Sequence, residues 1–278
     1  MITTLLVDGH VHYHSCFRVH EFLEAALVNF RAAARELGEP GALGCLMLTE
    51  SSWSHYFRAF ADGLVERSTE GWTVEPTAEE CSLVVRRSPN ERLVLVAGRQ
   101  IVTSDRLEVL ALATSEVYPD GVPIGEAVDR ALSTGAVTVL PWGFGKWTGG
   151  RGRIVKEILT SPVADELYVG DNGGRPALGP EPALFQLARN RGVPILPGSD
   201  PLPLAPEVGK PGRCGFVLTG PFAPETPAAA IRGMLSARSQ PRRFGRLEGL
   251  LQFVQRQVAL RLGRGRIPTG AATGERGR

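Results

Sequence analysis

Short apolar runs alternate with amphipathic stretches along most of the chain, and this alternation restricts the fold more than any other feature. Thr3–Val7 and Ala42–Leu48 are apolar runs of strand length, whereas Val19–Leu37 has apolar residues at helical spacing and ends before Gly38. Repeated strand–helix units predict a parallel sheet covered by helices. The 278 residues fit an α/β barrel of seven or eight units, and an open doubly wound sheet is the alternative.

The same periodicities predict the remaining elements of one domain spanning residues 1–262. Further strand-like runs are Leu93–Ala97, Leu107–Ala113, Ala136–Leu140, Glu166–Val169, Val193–Leu196 and Cys214–Leu218. Further helical patterns are Ile124–Ser133, Ile154–Leu159, Pro182–Asn190, Pro227–Ser236 and Leu247–Leu262. Trp72–Val74 and Ser82–Val85 are β-like and predict an inserted ribbon. Residues 227–262 would form the closing helices, and the Gly- and Arg-rich residues 263–278 are predicted to be a flexible tail.

Composition excludes several classes of protein. A hydrophobic fraction of 43% and a charged fraction of 22% are typical of a water-soluble globular domain. No run of 18 uncharged apolar residues is present to form a transmembrane segment. The N-terminus lacks the basic flank of a signal peptide, so a cytoplasmic location is expected. The four cysteines lie far apart without a CxxC pair, which argues against a zinc knuckle or a disulfide scaffold.

Positive charge is concentrated towards the C-terminal end of the chain. The formal net charge of +2 is too small to indicate a nucleic-acid partner, and none is expected. Between Arg238 and Arg278, however, there are ten arginines and only two acidic residues. The predicted helix over Leu247–Leu262 is therefore basic and amphipathic. It either packs across the barrel or docks on an acidic partner or a membrane surface.

The sharpest chemical signal is the motif Asp8-x-His10-x-His12, directly after the first predicted strand. Because side chains two residues apart share a face of an extended segment, His10 and His12 can point together into the mouth of the barrel. Two imidazoles there suit a divalent transition metal. Asp8 either orients one imidazole or has a structural role. Asp200 follows a late strand and would face the same mouth from the other end of the chain.

A glycine-rich segment over residues 141–153 and a turn over residues 170–176 contain the candidates for substrate binding. Glycines let backbone amides approach a ligand closely, and Lys146 and Arg151 are cationic donors beside two tryptophans. Such a segment suits a phosphate or carboxylate group of the substrate. A flexible glycine loop and a plain turn are the structural alternatives. The candidate substrate-binding residues are Trp142, Lys146, Arg151, Arg175, Asn172 and Arg99.

These motifs resemble those of the polymerase-and-histidinol-phosphatase (PHP) superfamily of metal-dependent phosphoesterases, over roughly residues 3–220. Asp8-x-His10-x-His12 matches the opening motif of that family, and Asp200 lies in a match to its closing Gly-Ser-Asp-x-His. The middle motifs match by order and spacing, at Leu48–Ser51, Gly98–Thr103 and Glu108–Leu110. The resemblance implies an irregular (β/α)7-8 TIM-like barrel of the PHP type, with up to three metal ions.

The chain departs from the family's pattern at several ligand positions. Glu50 replaces an Asp, Gln100 replaces a bridging Glu, and Leu202 stands at a histidine position. Glu108 likewise stands where the family has a histidine. Because a neutral glutamine is a weak bridge between two cations, one metal ion is expected rather than three. Imidazole and carboxylate ligands suit Zn, Mn or Fe as the ion. The implied ligands are His10, His12 and Asp200, with Glu50 or Gln100 as a fourth.

Together these features predict a metal-dependent hydrolase that acts on a small anionic phosphoester. Asp200, Lys146 and Arg151 are the predicted catalytic residues, and Arg175 would help to hold the anionic group. Two alternatives stay open. One is a hydrolase of a non-phosphate substrate, such as an amide or a lactone, and the other is a catalytically inactive PHP-like protein that binds a ligand or acts as a scaffold. Gln100 distinguishes a hydrolase from the inactive binding protein. If Glu50 does not replace the carboxylate that is missing at Gln100, the binding protein is favoured.

Overall fold

Two mixed β-sheets form the centre of the computed structural model, which describes residues 2–177, 181–247, 249, 256 and 258. The strands, in chain order, are β1 (Ile2–Val11), β2 (Leu43–Leu48), β3 (Thr73–Pro76), β4 (Ser82–Ser88), β5 (Glu91–Val96), β6 (Gly98–Val102), β7 (Glu108–Leu112), β8 (Val137–Pro141), β9 (Tyr168–Asn172), β10 (Ile195–Gly198), β11 (Cys214–Pro221) and β12 (Arg242–Gly245). The α-helices are α1 (Val19–Leu37), α2 (Tyr56–Ala59), α3 (Val65–Ser68), α4 (Ile124–Ser133), α5 (Gly149–Thr160), α6 (Ala183–Asn190) and α7 (Pro227–Leu235).

Both sheets combine parallel and antiparallel strands. The seven-stranded sheet has the order β12–β11–β1–β2–β5–β4–β3, and within it β1, β2 and β5 are parallel. The outer strands on each side of that sheet pair antiparallel. The five-stranded sheet has the order β10–β9–β8–β7–β6, in which β7 is antiparallel to both of its neighbours.

The predicted irregular (β/α)7-8 TIM-like barrel of the PHP type is wrong, because the described strands form two mixed sheets and no closed barrel. Short connections explain the difference. A turn at Pro89 and Asn90 joins β4 to β5, and residues 103–107 join β6 to β7. Connections this short can link only antiparallel neighbours, whereas a parallel pair needs a long crossover. The predicted ribbon is present as β3 and β4, which pair antiparallel.

The chain passes from one sheet to the other at Gly98. β5 belongs to the seven-stranded sheet, and β6, which begins at Gly98, belongs to the five-stranded sheet. A Cβ atom here would lie 2.7 Å from the carbonyl oxygen of Leu48 and 2.9 Å from that of Ala111. Glycine is therefore needed for the close approach of these backbones. The next residue, Arg99, forms an isolated bridge to Glu50 just beyond β2, so the two sheets meet at this point.

Two hydrophobic clusters are buried, one shared by both sheets and one on the five-stranded sheet alone. Phe22 of α1, Phe60 and Trp72 belong to the shared cluster. Leu159 of α5 and Phe185 of α6 belong to the cluster of the five-stranded sheet. All five side chains are at most 2% exposed. Full burial of a large apolar side chain contributes about 1.5–3 kcal/mol, so these two layers hold the strand ends on which the candidate site lies.

Part of the predicted C-terminal organisation falls outside the described residues. The predicted helix over Leu247–Leu262 is described only at Leu247, Gly249, Arg256 and Val258, and the predicted tail over residues 263–278 is not described. A single domain up to residue 262 therefore stays a prediction. Within the described ranges, none of the helices has the length and apolar character needed to cross a bilayer.

Candidate functional site

His10, His12 and Asp200 converge where strands β1 and β10 end. His10 is the last residue but one of β1, and Asp200 follows the end of β10 by two residues. The backbone N–H of Asp200 donates to the carbonyl oxygen of His10 at 2.8 Å, which joins the two strand ends. One ligand atom from each of the three side chains lies within 4.8 Å of the other two. The structure thus brings together the three residues that the sequence predicts as core ligands.

The spacing of these side chains fits a tetrahedral metal ion. The Nε2 atoms of His10 and His12 are 3.1 Å apart, and they lie 3.6 and 3.7 Å from Oδ1 of Asp200. Ligand atoms about 2.0–2.1 Å from a tetrahedral zinc ion are separated by about 3.3 Å. The three side chains are only 7%, 15% and 17% exposed. Two imidazoles and a carboxylate are a donor set that Zn, Mn and Fe accept.

The surroundings of these groups favour the protonation states that a cation needs. Burial, followed by the neighbouring His10, lowers the pKa of His12 to about 3, so this imidazole is neutral at neutral pH and has a lone pair to donate. Burial by itself would raise the pKa of Asp200, but His10, His12 and Arg256 outweigh it and hold the pKa below its usual range. A neutral imidazole beside an ionised carboxylate is the state that binds a divalent metal.

Asp8 ties the ends of β1 and β10 together. Its carboxylate accepts hydrogen bonds from the backbone N–H and the hydroxyl of Ser199, at 2.8 and 2.6 Å, and from the N–H of Gly212 at 2.8 Å. The side chain is fully buried, and this burial raises the pKa of Asp8 to about 7. Of the two roles predicted for Asp8, the contacts support the structural one. Its carboxylate fixes the backbone beside His10 and Asp200 and does not orient an imidazole.

Glu50 and Gln100, the candidates for a fourth ligand, differ in what they contact. One carboxylate oxygen of Glu50 accepts the N–H of Phe57 at 2.8 Å, and the other lies 3.3 Å from the guanidinium of Arg99. The side chain of Gln100 lies near His12 and acts to raise the pKa of that imidazole, against the larger effect of burial. Glu50 does not belong to the convergent group of three. The role of either residue as a fourth ligand stays a prediction.

Lys146 is the cation that the glycine-rich segment brings to the site. Its ammonium group forms a close ion pair with Glu108, which stands at the start of β7. The positive charge of Lys146 also contributes to the lowered pKa of Asp200. The lysine side chain is 36% exposed, so it remains accessible to solvent although it is paired. Glu108 is therefore an ion-pair partner that holds Lys146 in place.

The other predicted substrate-binding residues in these loops contact the protein itself. Arg151 donates to the carbonyl oxygen of Gly145 at 2.8 Å and so supports the glycine-rich segment. Trp142 is half-buried against the hydrophobic cluster of the five-stranded sheet. Arg175 donates to both carboxylate oxygens of the buried Asp171, at 2.9 and 3.2 Å. These contacts favour a role in shaping the loops, and a direct contact with substrate stays a prediction.

Asn172 provides a test of whether the site fits a metal ion. Its Nδ2 atom donates to Oδ2 of Asp200 at 2.8 Å, which turns the other carboxylate oxygen towards the histidines. The Oδ1 atom of Asn172 is buried and has no hydrogen-bond partner among the described residues. A buried acceptor without a partner costs about 1–3 kcal/mol. A bound cation, or the water that accompanies one, would satisfy this oxygen, so the residues present fit the ion.

Arg256 also lies at the site, although the sequence places it only in the basic C-terminal helix. Its guanidinium donates to the backbone carbonyl oxygen of Asp200 and lies 3.3 Å from a carboxylate oxygen of Glu207. The residue is 7% exposed. No local pattern in the sequence could reveal this contact, because 56 positions separate Arg256 from Asp200.

No protein-family model and no curated protein matches the chain. Several solved structures resemble it. PsfC from Pseudomonas syringae PB-5123 has a TM-score of 0.57 at 15% identity, covering 95% of this chain and 98% of PsfC. The lesion-specific endonuclease PfuEndoQ from Pyrococcus furiosus has a TM-score of 0.50 at 11% identity, over 87% of this chain. Endonuclease Q in complex with a 27-mer duplex substrate that has an abasic lesion at the active site has a TM-score of 0.51 at 12% identity.

These resemblances concern the fold alone, because the identities are only 11–15%. The chain spans 58% of the length of each endonuclease structure, whereas it spans 98% of PsfC. Membership of the PHP superfamily therefore stays a hypothesis that rests on the motif resemblance. What the structure adds to it is a group of two histidines and one aspartate that could hold a metal.

Proposed function

We propose that this protein is a metal-dependent hydrolase of phosphoesters, with one divalent ion held by His10, His12 and Asp200. The observation that carries the proposal is the convergence of these three ligand atoms within 4.8 Å at the joined ends of β1 and β10. Two of the fold neighbours are described as an endonuclease, which supports a phosphoester as the substrate class.

The side chains around the ion have separate tasks. A divalent ion, when bound, supplies a Lewis acid that polarises the ester and lowers the pKa of water. His10 and His12 offer nitrogen atoms, and Asp200 offers one carboxylate oxygen while Asn172 holds the other. Gln100, whose side chain lies near His12, is the better candidate for a fourth ligand. The low exposure of these groups strengthens each electrostatic interaction within the site.

Lys146 is the cation best placed to hold the anionic group of the substrate. Its ammonium is partly exposed and is kept near the site by Glu108. Positive charge at this position stabilises the negative charge that develops on a phosphoryl group in the transition state. Arg151 supports the loop that carries Lys146, and Arg99 and Arg175 are already engaged by carboxylates. These three arginines would therefore influence the substrate through the shape of the loops.

Nucleic acid belongs among the substrates to be tested. The net charge of the chain alone indicates no nucleic-acid partner. One fold neighbour, however, is described in complex with a 27-mer duplex that has an abasic lesion, which does not fit that expectation. Phosphodiesters therefore stand beside small phosphomonoesters as candidate substrates.

Elemental analysis and a substrate panel test the proposal together. The purified protein would be stripped with a chelator and reloaded with Zn²⁺, Mn²⁺ or Fe²⁺. It would then be assayed on p-nitrophenyl phosphate, bis(p-nitrophenyl) phosphate, duplex DNA with an abasic site, an amide and a lactone. His10→Ala and Asp200→Ala each remove a proposed ligand. His20→Ala and Asp62→Ala are matched controls, because both residues are exposed and lie outside the convergent group.

The expected result is one ion per chain and phosphoester hydrolysis that both ligand variants lose and both controls keep. Turnover confined to amides or lactones would move the same chemistry to a non-phosphate substrate. A metal-loaded protein without turnover would favour the ligand-binding or scaffold protein. A parent protein that binds none of the three ions would refute the proposal.

A further inference from the structure

Asp200 presents its carboxylate from a backbone conformation that few residues with a side chain adopt. Its φ angle of 45° lies in the left-handed region. In that region the Cβ atom approaches the backbone too closely for most L-residues. Such conformations persist only where the surrounding contacts over-determine them, and they cluster at functional sites.

Three groups hold the peptide and side chain of Asp200 from different directions. The carbonyl oxygen of His10 accepts the backbone N–H at 2.8 Å. The amide of Asn172 donates to the carboxylate oxygen Oδ2 at 2.8 Å. The guanidinium of Arg256 donates to the backbone carbonyl oxygen. The N–H and the carbonyl of Asp200 are thus both fixed, and the Arg256 contact is the one made by a charged group.

The guanidinium of Arg256 is itself held in place. A carboxylate oxygen of Glu207 lies 3.3 Å from it, and another contact of Glu207, with the N–H of Leu202 at 3.2 Å, fixes that carboxylate to the loop after Asp200. On its other side the guanidinium packs directly on Gly174, where a Cβ atom would lie 1.7 Å from one of its nitrogen atoms. Burying a guanidinium is unfavourable unless it is paired, and the ion pair with Glu207 offsets that cost and fixes the guanidinium beside Asp200.

We propose that Arg256 is a positioning residue for the metal ion, holding the Asp200 peptide in the left-handed conformation from which the carboxylate reaches His10 and His12. This inference rests on the proposed function, because it assumes that the three side chains bind a divalent ion. Without the guanidinium, Asp200 can relax into the extended conformations that its backbone prefers. The fraction of molecules with all three ligands in place then falls, and the apparent affinity for the ion falls by the same factor.

Metal affinity measured on chelator-treated protein tests this role without any assay of activity. Isothermal titration with Zn²⁺ and with Mn²⁺ would compare the parent protein with Arg256→Ala and Arg256→Lys. Loss of a side chain that orients a metal ligand typically weakens binding about 10- to 100-fold, and we expect a loss in this range for Arg256→Ala. Arg246→Ala is the matched control, because Arg246 is exposed and comes from the same C-terminal region.

Two further measurements separate positioning from a general effect on folding. Guanidinium chloride at a low, non-denaturing concentration should restore part of the metal affinity of Arg256→Ala and leave that of the parent unchanged. Gly174→Ala keeps the charge of Arg256 but places a Cβ atom where the guanidinium lies, and it should weaken metal binding in the same way. Gly174→Ala also serves if Arg256→Ala does not fold.

The outcomes distinguish the inference from the proposed function. Weaker binding by Arg256→Ala and Gly174→Ala, with rescue by guanidinium and normal binding by Arg246→Ala, supports the positioning role. Parent-like affinity in both variants overturns it and leaves the metal site standing. Weaker metal binding that guanidinium does not restore, in a variant whose metal-free form also unfolds at a lower temperature than the parent, also overturns it. A parent protein that binds neither ion overturns the proposed function, and the inference falls with it.

Discussion

Removal of the Asp8 carboxylate should destabilise the fold and the candidate site together. Asp8 is fully buried and accepts short hydrogen bonds from the backbone amides of Ser199 and Gly212, both at 2.8 Å, and a longer one from the amide of His10 at 3.4 Å. It also accepts the hydroxyl of Ser199 at 2.6 Å. In Asp8→Ala the hydroxyl can rotate to another acceptor, but the amides are fixed by the backbone and lose theirs.

The expected loss follows from the two short hydrogen bonds, those of the Ser199 and Gly212 amides. A buried donor left without an acceptor costs about 1–3 kcal/mol, so Asp8→Ala should lower the free energy of unfolding by about 2–6 kcal/mol. Asp8→Asn keeps the volume and one acceptor oxygen, but its NH₂ group faces the remaining donor. We therefore expect an intermediate loss of about 1–3 kcal/mol for Asp8→Asn.

Urea unfolding of chelator-treated protein, followed by far-UV circular dichroism, measures both losses at constant pH. Asp62→Ala is the control, because Asp62 is exposed and a surface substitution usually changes stability by no more than about 0.5 kcal/mol. If Asp8→Ala unfolds within about 1 kcal/mol of the parent protein, the carboxylate does not join β1 to β10 in the way described above.

The remaining predictions concern the approach of His10 to β10, the core and Glu50. Gly198→Ala places a Cβ atom 2.4 Å from the backbone nitrogen of His10, and calorimetry should show Zn²⁺ binding weakened at least about tenfold. Phe185→Ala empties a fully buried position and should cost about 3–5 kcal/mol in urea unfolding while Zn²⁺ affinity is kept. Glu50→Gln should remove the ion pair with Arg99 yet leave the Zn²⁺ dissociation constant unchanged, and an affinity loss of about tenfold would instead make Glu50 a ligand.

Helices and strands with a strong local pattern could be predicted closely from the sequence. The helical spacing predicts Val19–Leu37 and Ile124–Ser133, and the structure has helices with the same bounds. The first strand is longer than predicted, because β1 includes Asp8 and His10 and ends at Val11, one residue before His12. Apolar periodicity reports which face of one element is buried, so it succeeds wherever a single face decides the structure.

The arrangement of the strands could not be predicted in the same way. A strand-like run does not reveal its neighbour, and the hairpin joining β4 to β5 redirects the chain where a parallel unit is expected. Pro89 and Asn90 are typical turn residues and were the available signal for that hairpin. The switch of sheets at Gly98 depends on close backbone contacts with Leu48 and Ala111, which no pattern within residues 91–102 encodes.

The candidate site also has a part that could be predicted from local sequence and a part that could not. His10 and His12 are neighbours in sequence, so their shared direction could be predicted from strand geometry, and Asp200 joined them through its place after a late strand. Asp8 has its contacts with Ser199 and Gly212, 191 and 204 positions away, and Arg256 reaches Asp200 across 56 positions. Groups that position ligands depend on such distant contacts, whereas the ligands themselves follow local rules.

The distribution of charge around the site gives a separate reason to expect a cation between the histidines. Three acidic residues near the site have a basic partner of their own: Glu50 with Arg99, Glu108 with Lys146, and Glu207 with Arg256. Among the described residues, the carboxylate of Asp200 forms no ion pair with a lysine or an arginine, since Arg256 contacts its backbone carbonyl oxygen. A buried carboxylate is costly unless it is paired, and protonation is disfavoured because the pKa of Asp200 is held low. The imidazoles of His10 and His12 and the amide of Asn172 are the neighbours of this carboxylate, and with the two histidines it forms a group that could hold a divalent ion.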